Sequence, residues 1–188
     1  MARAGVTAER VVREAADLVD AEGLGALRVA AVAERLGVRP ASVYAHVAGL
    51  DEIRTAVTAL ALGELADRAG DAVAGRAGRD ALVAYADVVR SYAQAHPGRY
   101  AATRLRVAPG SPAVAAGRRH AELTRAVLRG YDLPAEAEVL AVRLLGSVVH
   151  GYVDLELSGA FDHSDPPPAA TWPGALDALD AALRGWAA

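Results

Sequence analysis

Ser42, Tyr44 and His46 alternate along the run AERLGVRPASVYAHV (Ala33–Val47), and each carries a group able to hydrogen-bond a phosphate oxygen. Such contacts fix the register of a polyanion more than they read it. Arg35 and Arg39 add local positive charge. No carboxylate occurs from Arg35 to Leu50, although acids outnumber bases in the chain by 23 to 20. On a helix advancing about 100° per residue, Val43 and Val47 share one face while Ser42 and His46 share another, with Ala45 between them. The valines are expected to anchor in a core and the second face to point outward. Ala41, Ser42 and Ala45 are small enough to let a backbone approach closely. The spacing implies a surface kept free of negative charge because it meets phosphates.

A second set of residues could do different chemistry. His150 and Asp154 stand four apart on one helix face, a spacing that suits a metal ion or a general base. No third ligand accompanies them, and Asp162, His163 and Asp165 fall in a loop. A hydrogen-bonded structural pair is the plainer reading. There is no nucleophile elbow, no phosphate-cradling glycine motif and no pair of carboxylates at a telling spacing. No catalytic residue, metal or cofactor is expected, and the chain does not read as an enzyme.

The elements that must position these residues follow from period and punctuation. Thr7 is a plausible N-cap for a first helix running to Glu22, where Gly23 and Gly25 stop it, with Val12, Ala16 and Val19 as its inner stripe. Val29, Val32, Ala33 and Leu36 give a second helix that ends at Gly37, a residue free to take positive φ. Pro40 opens a third helix, since its missing N–H would be unpaired there. A fourth begins near Asp51 and runs to about Ala74. Leu82, Tyr85, Val89 and Tyr92 form one later stripe, ending before Pro97. His120, Leu123, Val127 and Tyr131 form another, beyond the Pro109–Pro112 break. Residues 134–157 are apolar on nearly every side, SGAFDHSDPPPAATWPG reads as a linker, and Leu176, Leu179, Leu183 and Trp186 mark a last helix.

Composition bounds the rest. The 188 residues include no Cys, no Lys and a single Ile, so disulfides and thiolate metal sites are absent and helix is favoured throughout. The lack of cysteine and of a leader-like or membrane-spanning run suggests a cytoplasmic protein with no membrane partner. A formal charge of −3 excludes a generally polybasic nucleic-acid binder. Residues 1–54 carry 7 arginines against 8 acids, most of those acids in the first helix. The expected fold is all-α: an N-terminal three-helix helix-turn-helix over 1–54 whose helix after the turn could lie on DNA, then a larger helical body over 55–188, to which family resemblance assigns ligand binding and dimerisation. A short helix pair around a glycine turn also occurs in helical proteins that bind no DNA, and pattern alone leaves both readings open.

The run LRVAAVAERLGVRPASVYAHVAGLDEI resembles the signature of the TetR family of bacterial transcriptional regulators. The resemblance covers about the first 55 residues. It implies that Tyr44 and His46 contact phosphates, that Ser42 fills a small hydroxyl position, and that Arg39, Pro40 and Ala41 sit where bases are read. Two positions depart from the pattern. Leu50 replaces the lysine that many members carry at the start of the fourth helix, and Arg28 replaces the Thr or Ser that caps the second helix while offering a phosphate contact of its own. Further on, VRLLGSVVHGYVDLELSGAF is similar to the subgroup with a WHG-type C-terminal domain, through His150, Gly151, Leu155, Glu156, Gly159 and Phe161, although no tryptophan precedes His150.

The resemblance implies a homodimer that encloses a small-molecule effector, grips double-stranded DNA at a palindromic operator, and acts as a repressor released by that effector. Sequence physics supports the dimer independently, because a helix apolar all round must be covered on all sides. Gly146, Ser147 and Gly151 would admit another helix, and the last helix with its Leu and Trp stripe could complete a four-helix interface. Two reading heads would then meet half-sites about one turn of DNA apart. Inward stripes nominate the pocket: Tyr85, Val89, Tyr92, Leu123, Val127, Leu145, Val149 and Tyr152, with Tyr100 and Arg104 as polar contacts. The rival is a helical small-molecule-binding protein without strong DNA binding.

Overall fold

The computed structural model describes residues 5–186, and among these it contains nine α-helices and no strand. They are α1 (Ala8–Glu22), α2 (Val29–Leu36), α3 (Pro40–Tyr44), α4 (Leu50–Val73), α5 (Gly78–Ala95), α6 (Pro97–Ala102), α7 (Pro112–Leu128), α8 (Glu138–Leu157) and α9 (Pro168–Arg184). They gather into two compact units. One holds residues 5–64 together with Ala95–Arg118, and the other holds Leu65–Gln94 and residues 119–186.

The first unit is built by its caps. Thr7 is extended and its hydroxyl accepts from the backbone N–H of Arg10 at 3.2 Å, which satisfies one orphan donor of α1. The buried face of α1 runs through Val11, Ala15, Leu18 and Val19. Ala16 and Val19 belong to it as expected, whereas Val12 lies half-buried at its flank, one position off the densest stripe. α2 ends where Gly37 turns left-handed at φ 68°. The N–H of Gly37 bonds the carbonyl of Glu34 at 2.9 Å and that of Val38 bonds Ala33 at 3.0 Å, so the last carbonyls of α2 are closed by a Schellman turn. Pro40 then starts α3. Val43 (0% exposed) within this short helix and Val47 (5%) just past its end join the core formed with α1 and α2; burying a valine contributes about 2 kcal/mol. Glu52 reaches back to accept from the N–H of Ala48 at 2.5 Å, fixing the start of α4.

α6 is an element that sequence reading omitted. Pro97 starts it and Gly98 lets it lie against α1, while Thr58 of α4 donates to the carbonyl of Ala102 at 3.1 Å. Charge reinforces the join. The guanidinium of Arg99 meets Asp17, Oδ2 of Asp20 at 3.0 Å and Glu64 at 3.3 Å, and His96 Nδ1 stands 3.0 Å from Asp20.

In the second unit, Leu82, Tyr85, Val89 and Tyr92 of α5 are all buried, as their spacing predicts. Arg90 forks onto Glu156 of α8 with bonds of 2.7 and 2.5 Å. The proline-rich segment is not all linker: α9 begins at Pro168 and carries Pro173 within it. Pro168 is harmless in the first turn. The bond lost at Pro173 is offset by its neighbour Trp172, buried with its indole N–H donating to Asp87 at 2.7 Å.

Candidate nucleic-acid interface and buried polar cluster

α3 is shorter than the spacing implied: it ends at Tyr44, which leaves Ala45 and His46 in the turn that follows, yet inner and outer sides still divide. Val43 and Val47 are inside, and Ala41, Ser42, Tyr44, Ala45 and His46 are exposed, Tyr44 by 55%. Arg39 and Pro40 at the head of α3 are exposed as well, and so is Arg28, which precedes α2 without capping it through its side chain. The candidate DNA-contacting residues Arg28, Arg39, Pro40, Ala41, Ser42, Tyr44 and His46 are therefore all open to a partner. Arg35 differs. Its Nε bonds Glu14 of α1 at 2.6 Å, so its charge braces α2 against α1 and is largely neutralised there. Leu50 is half-buried and packs on the core, where it offers no cationic contact.

The pocket candidates separate. Tyr85, Val89, Tyr92, Val127, Leu145 and Val149 are closed core of the second unit, with Leu123 half-buried. Tyr92 lies beneath the guanidinium of Arg68, 5.0 Å from the ring centre. Tyr152 joins a different cluster: its ring packs on Phe161 and Trp172 at 5.1 and 5.0 Å, and its hydroxyl donates to the carbonyl of Pro168 at 2.7 Å. Tyr100 and Arg104 belong to the first unit, Tyr100 fully buried with the Arg104 guanidinium stacked 4.2 Å from its ring. Among the described residues no group of three or more His, Asp or Glu is arranged to hold a metal ion.

One polar cluster in the apolar interior of the second unit was missed, because it joins residues 35 and 39 positions apart. The Tyr85 hydroxyl lies 3.0 Å from Nε2 of His120 and 3.1 Å from Oγ1 of Thr124, and Thr124 donates to the carbonyl of His120 at 3.2 Å. Counting donors decides the tautomer. With Nε2 protonated, His120 donates to Tyr85, Tyr85 to Thr124 and Thr124 to the carbonyl, which makes three bonds. With Nδ1 protonated only two form. The three-bond chain leaves Nδ1 of His120 as a bare acceptor, buried and without a partner. Burial holds the His120 imidazole below its usual range and pushes the Tyr85 phenol up, so both stay neutral near pH 7.

Of the stripe expected to face a second copy, Leu176, Leu179 and Leu183 are buried within the same chain, while Trp186 is half-buried just past the end of α9. The exposed apolar side chains lie on α8 instead: Val139, Leu140, Leu155 and Leu157 are 41–59% exposed.

Comparison with known proteins agrees with this architecture. Residues 82–179 match the family described as the tetracyclin repressor-like C-terminal domain. An HTH-type transcriptional regulator of Mycobacterium tuberculosis, Rv0681, is 36% identical over 164 residues, which are 86% of this chain and 75% of that one. A Rhodococcus structure of unknown function has a TM-score of 0.80 at 22% identity, over 98% of this chain and 97% of that chain. ActR from Streptomyces coelicolor, solved in complex with (S)-DNPA, has a TM-score of 0.60 at 25% identity, over 96% of this chain and 88% of that chain. A helix-turn-helix with an open outer face, a C-terminal helical body of the matching family and a close regulator relative agree: the chain belongs to the TetR family of transcriptional regulators.

Proposed function

We propose that this regulator is a homodimeric repressor in which residues 1–54 grip a palindromic operator and residues 55–188 hold a second copy and a small-molecule effector. The observation that carries the DNA half is the exposed, acid-free surface formed by α3 and the residues flanking it, with Tyr44, His46 and Ser42 for phosphates and Arg39, Pro40 and Ala41 towards the bases. The dimer half rests on α8. Leu140, Ser147, Gly151 and Leu155 fall on one side of that helix, apolar at its ends and small in its middle, as a close helix–helix contact requires.

The effector half rests on the buried cluster. An apolar interior with one unfilled acceptor, Nδ1 of His120, suits a ligand with an apolar body and a hydrogen-bond donor, and ActR with (S)-DNPA supports a small molecule in a related fold. Tyr85, Val89, Tyr92, Val127, Leu145 and Val149 are closed, with Leu123 beside them, so such a ligand must part α5, α7 and α8 to enter. That couples binding to a change of conformation, and a ligand preferring the parted state shifts the population towards it. Tyr152 would contribute to the pocket only in that state, and Tyr100 and Arg104, which belong to the first unit, are left out of it. A second reading, a small-molecule binder with weak DNA affinity, is favoured by Leu50, which packs on the core in the lysine position.

The test is a gel shift on the duplex upstream of the chain's own gene, with the mass of the shifted species measured by ultracentrifugation. Two chains on a palindromic site, released by a small molecule that co-purifies with the protein, is the expected result. No shift on any such duplex favours the second reading.

A further inference from the structure

A cavity of about 580 Å³ opens in the first unit, between the first turns of α4 and the segment that follows α6. It shares no residue with the effector cluster. Its walls divide by chemistry: Leu24, Leu105 and Val107 are apolar, while Arg54, Arg106, Thr55 and Thr58 are polar, and Asp51 stands at the end where α4 begins.

Two arginines and one aspartate thus line the same opening. That carboxylate is a weak competitor, because Asp51 is 97% exposed and lies 3.4 Å from Arg54, a pair that contributes little in water. Arg106 is exposed and has no ion-pair partner among the described residues. The wall itself is firmly held. Thr58 is 1% exposed, and its bond to the Ala102 carbonyl ties α4 to α6 beside the opening. Leu24 and Leu105 pack on the core behind it.

We propose that this cavity is a second ligand site, taking a small organic carboxylate with an apolar tail. The carboxylate lies between Arg54 and Arg106, where two planar forks can each bond it, and the tail lies against Leu24, Leu105 and Val107. The volume is within the range of pockets that enclose small molecules. A neutral or cationic ligand would leave the net positive charge of the wall unmatched. Bare phosphate would leave the apolar side wet.

The probe is sodium octanoate, titrated calorimetrically into the full-length protein, with 1-octanol and sodium phosphate as comparisons. Octanoate is expected to bind saturably at one equivalent per chain, and both comparisons far more weakly. Arg54→Ala and Arg106→Ala, each at an exposed position and checked for folding by circular dichroism, should each weaken octanoate about tenfold. Arg106→Lys should recover most of the loss, and Tyr85→Phe should change nothing. Equal binding of octanol or phosphate overturns the proposal, and so does wild-type affinity in both arginine variants or the lack of saturable binding. Octanoate binding lost in Tyr85→Phe but kept in Arg106→Ala also overturns it, since the ligand then occupies the effector cluster and that separate reading stands.

Discussion

A β-carbon placed on Gly98 would lie 1.9 Å from the carbonyl oxygen of Val19. The backbone of α6 therefore touches the backbone of α1, although the two glide past each other in sequence by almost eighty positions. Around that contact, Arg99 and His96 bind Asp17 and Asp20, and Ala102 receives Thr58. The helix that follows α5 in the chain is thus built into the same unit as α3. α6 rests on α1, which in turn packs on α2 beside α3.

Gly98→Ala should disrupt this seat. The obstructing atoms are backbone, which cannot rotate aside as a long side chain would, so α6 must lift from α1. The expected cost is about 3 kcal/mol, the upper end of what overpacking usually costs, read as a drop in denaturation midpoint. Ala102→Gly, which adds no atom, should cost far less.

Acid should loosen the second unit through His120. Burial lowers its folded pKa below the unfolded value of about 6.5, so the unfolded chain binds more protons in that window. Stability is complete above pH about 6.5 and falls as pH drops through the folded pKa. Thermal melts from pH 8 to pH 5 should show this decline, and His120→Gln, which keeps a donor for Tyr85 but cannot titrate, should flatten it. A His120→Gln profile parallel to wild type would remove His120 as the cause.

Glu156 should matter for stability and not for chemistry. It accepts both bonds of Arg90, and both side chains are less than a fifth exposed. Glu156→Ala leaves a half-buried guanidinium unpaired, with an expected loss of ~2 kcal/mol in chemical denaturation. Glu156→Gln should lose less.

Much of this organisation is legible in the sequence where the signal is local. Thr7 as a cap, Gly37 as a left-handed turn and Pro40 as a helix start each act on residues within four positions, and each stands where its chemistry requires. The outward face of α3 could be read because Val43 and Val47 fix its rotation. What could not be read depends on tertiary partners. Pro97 signals a helix start, but nothing near it announces that Gly98 meets Val19. Pro166, Pro167 and Pro168 suggest a linker until the burial of Trp172 holds α9 together. The leucines of α9 show the right period, yet period does not say whether the covering surface belongs to the same chain. Tyr85 was nominated from its stripe, but its partners His120 and Thr124 emerge only when α5 and α7 pack.

Self-association should run through α8. Leu140→Arg with Leu155→Arg places two charges on exposed positions, so the fold should persist while pairing fails. Light scattering should give a monomer mass for this variant and twice that mass for wild type at micromolar concentration. An unchanged mass would move the interface elsewhere.

DNA binding by this regulator would run through the outer surface of α3 and the turn after it. Fluorescence anisotropy with a labelled duplex from the region upstream of the gene compares wild type with Tyr44→Ala, at fixed salt. Tyr44 is 55% exposed, so its removal should leave the melting temperature unchanged. Loss of one phosphate bond from each of two reading heads should weaken DNA binding about tenfold per head, or about a hundredfold for the dimer. Equal affinity of the two proteins, with both correctly folded, would contradict it.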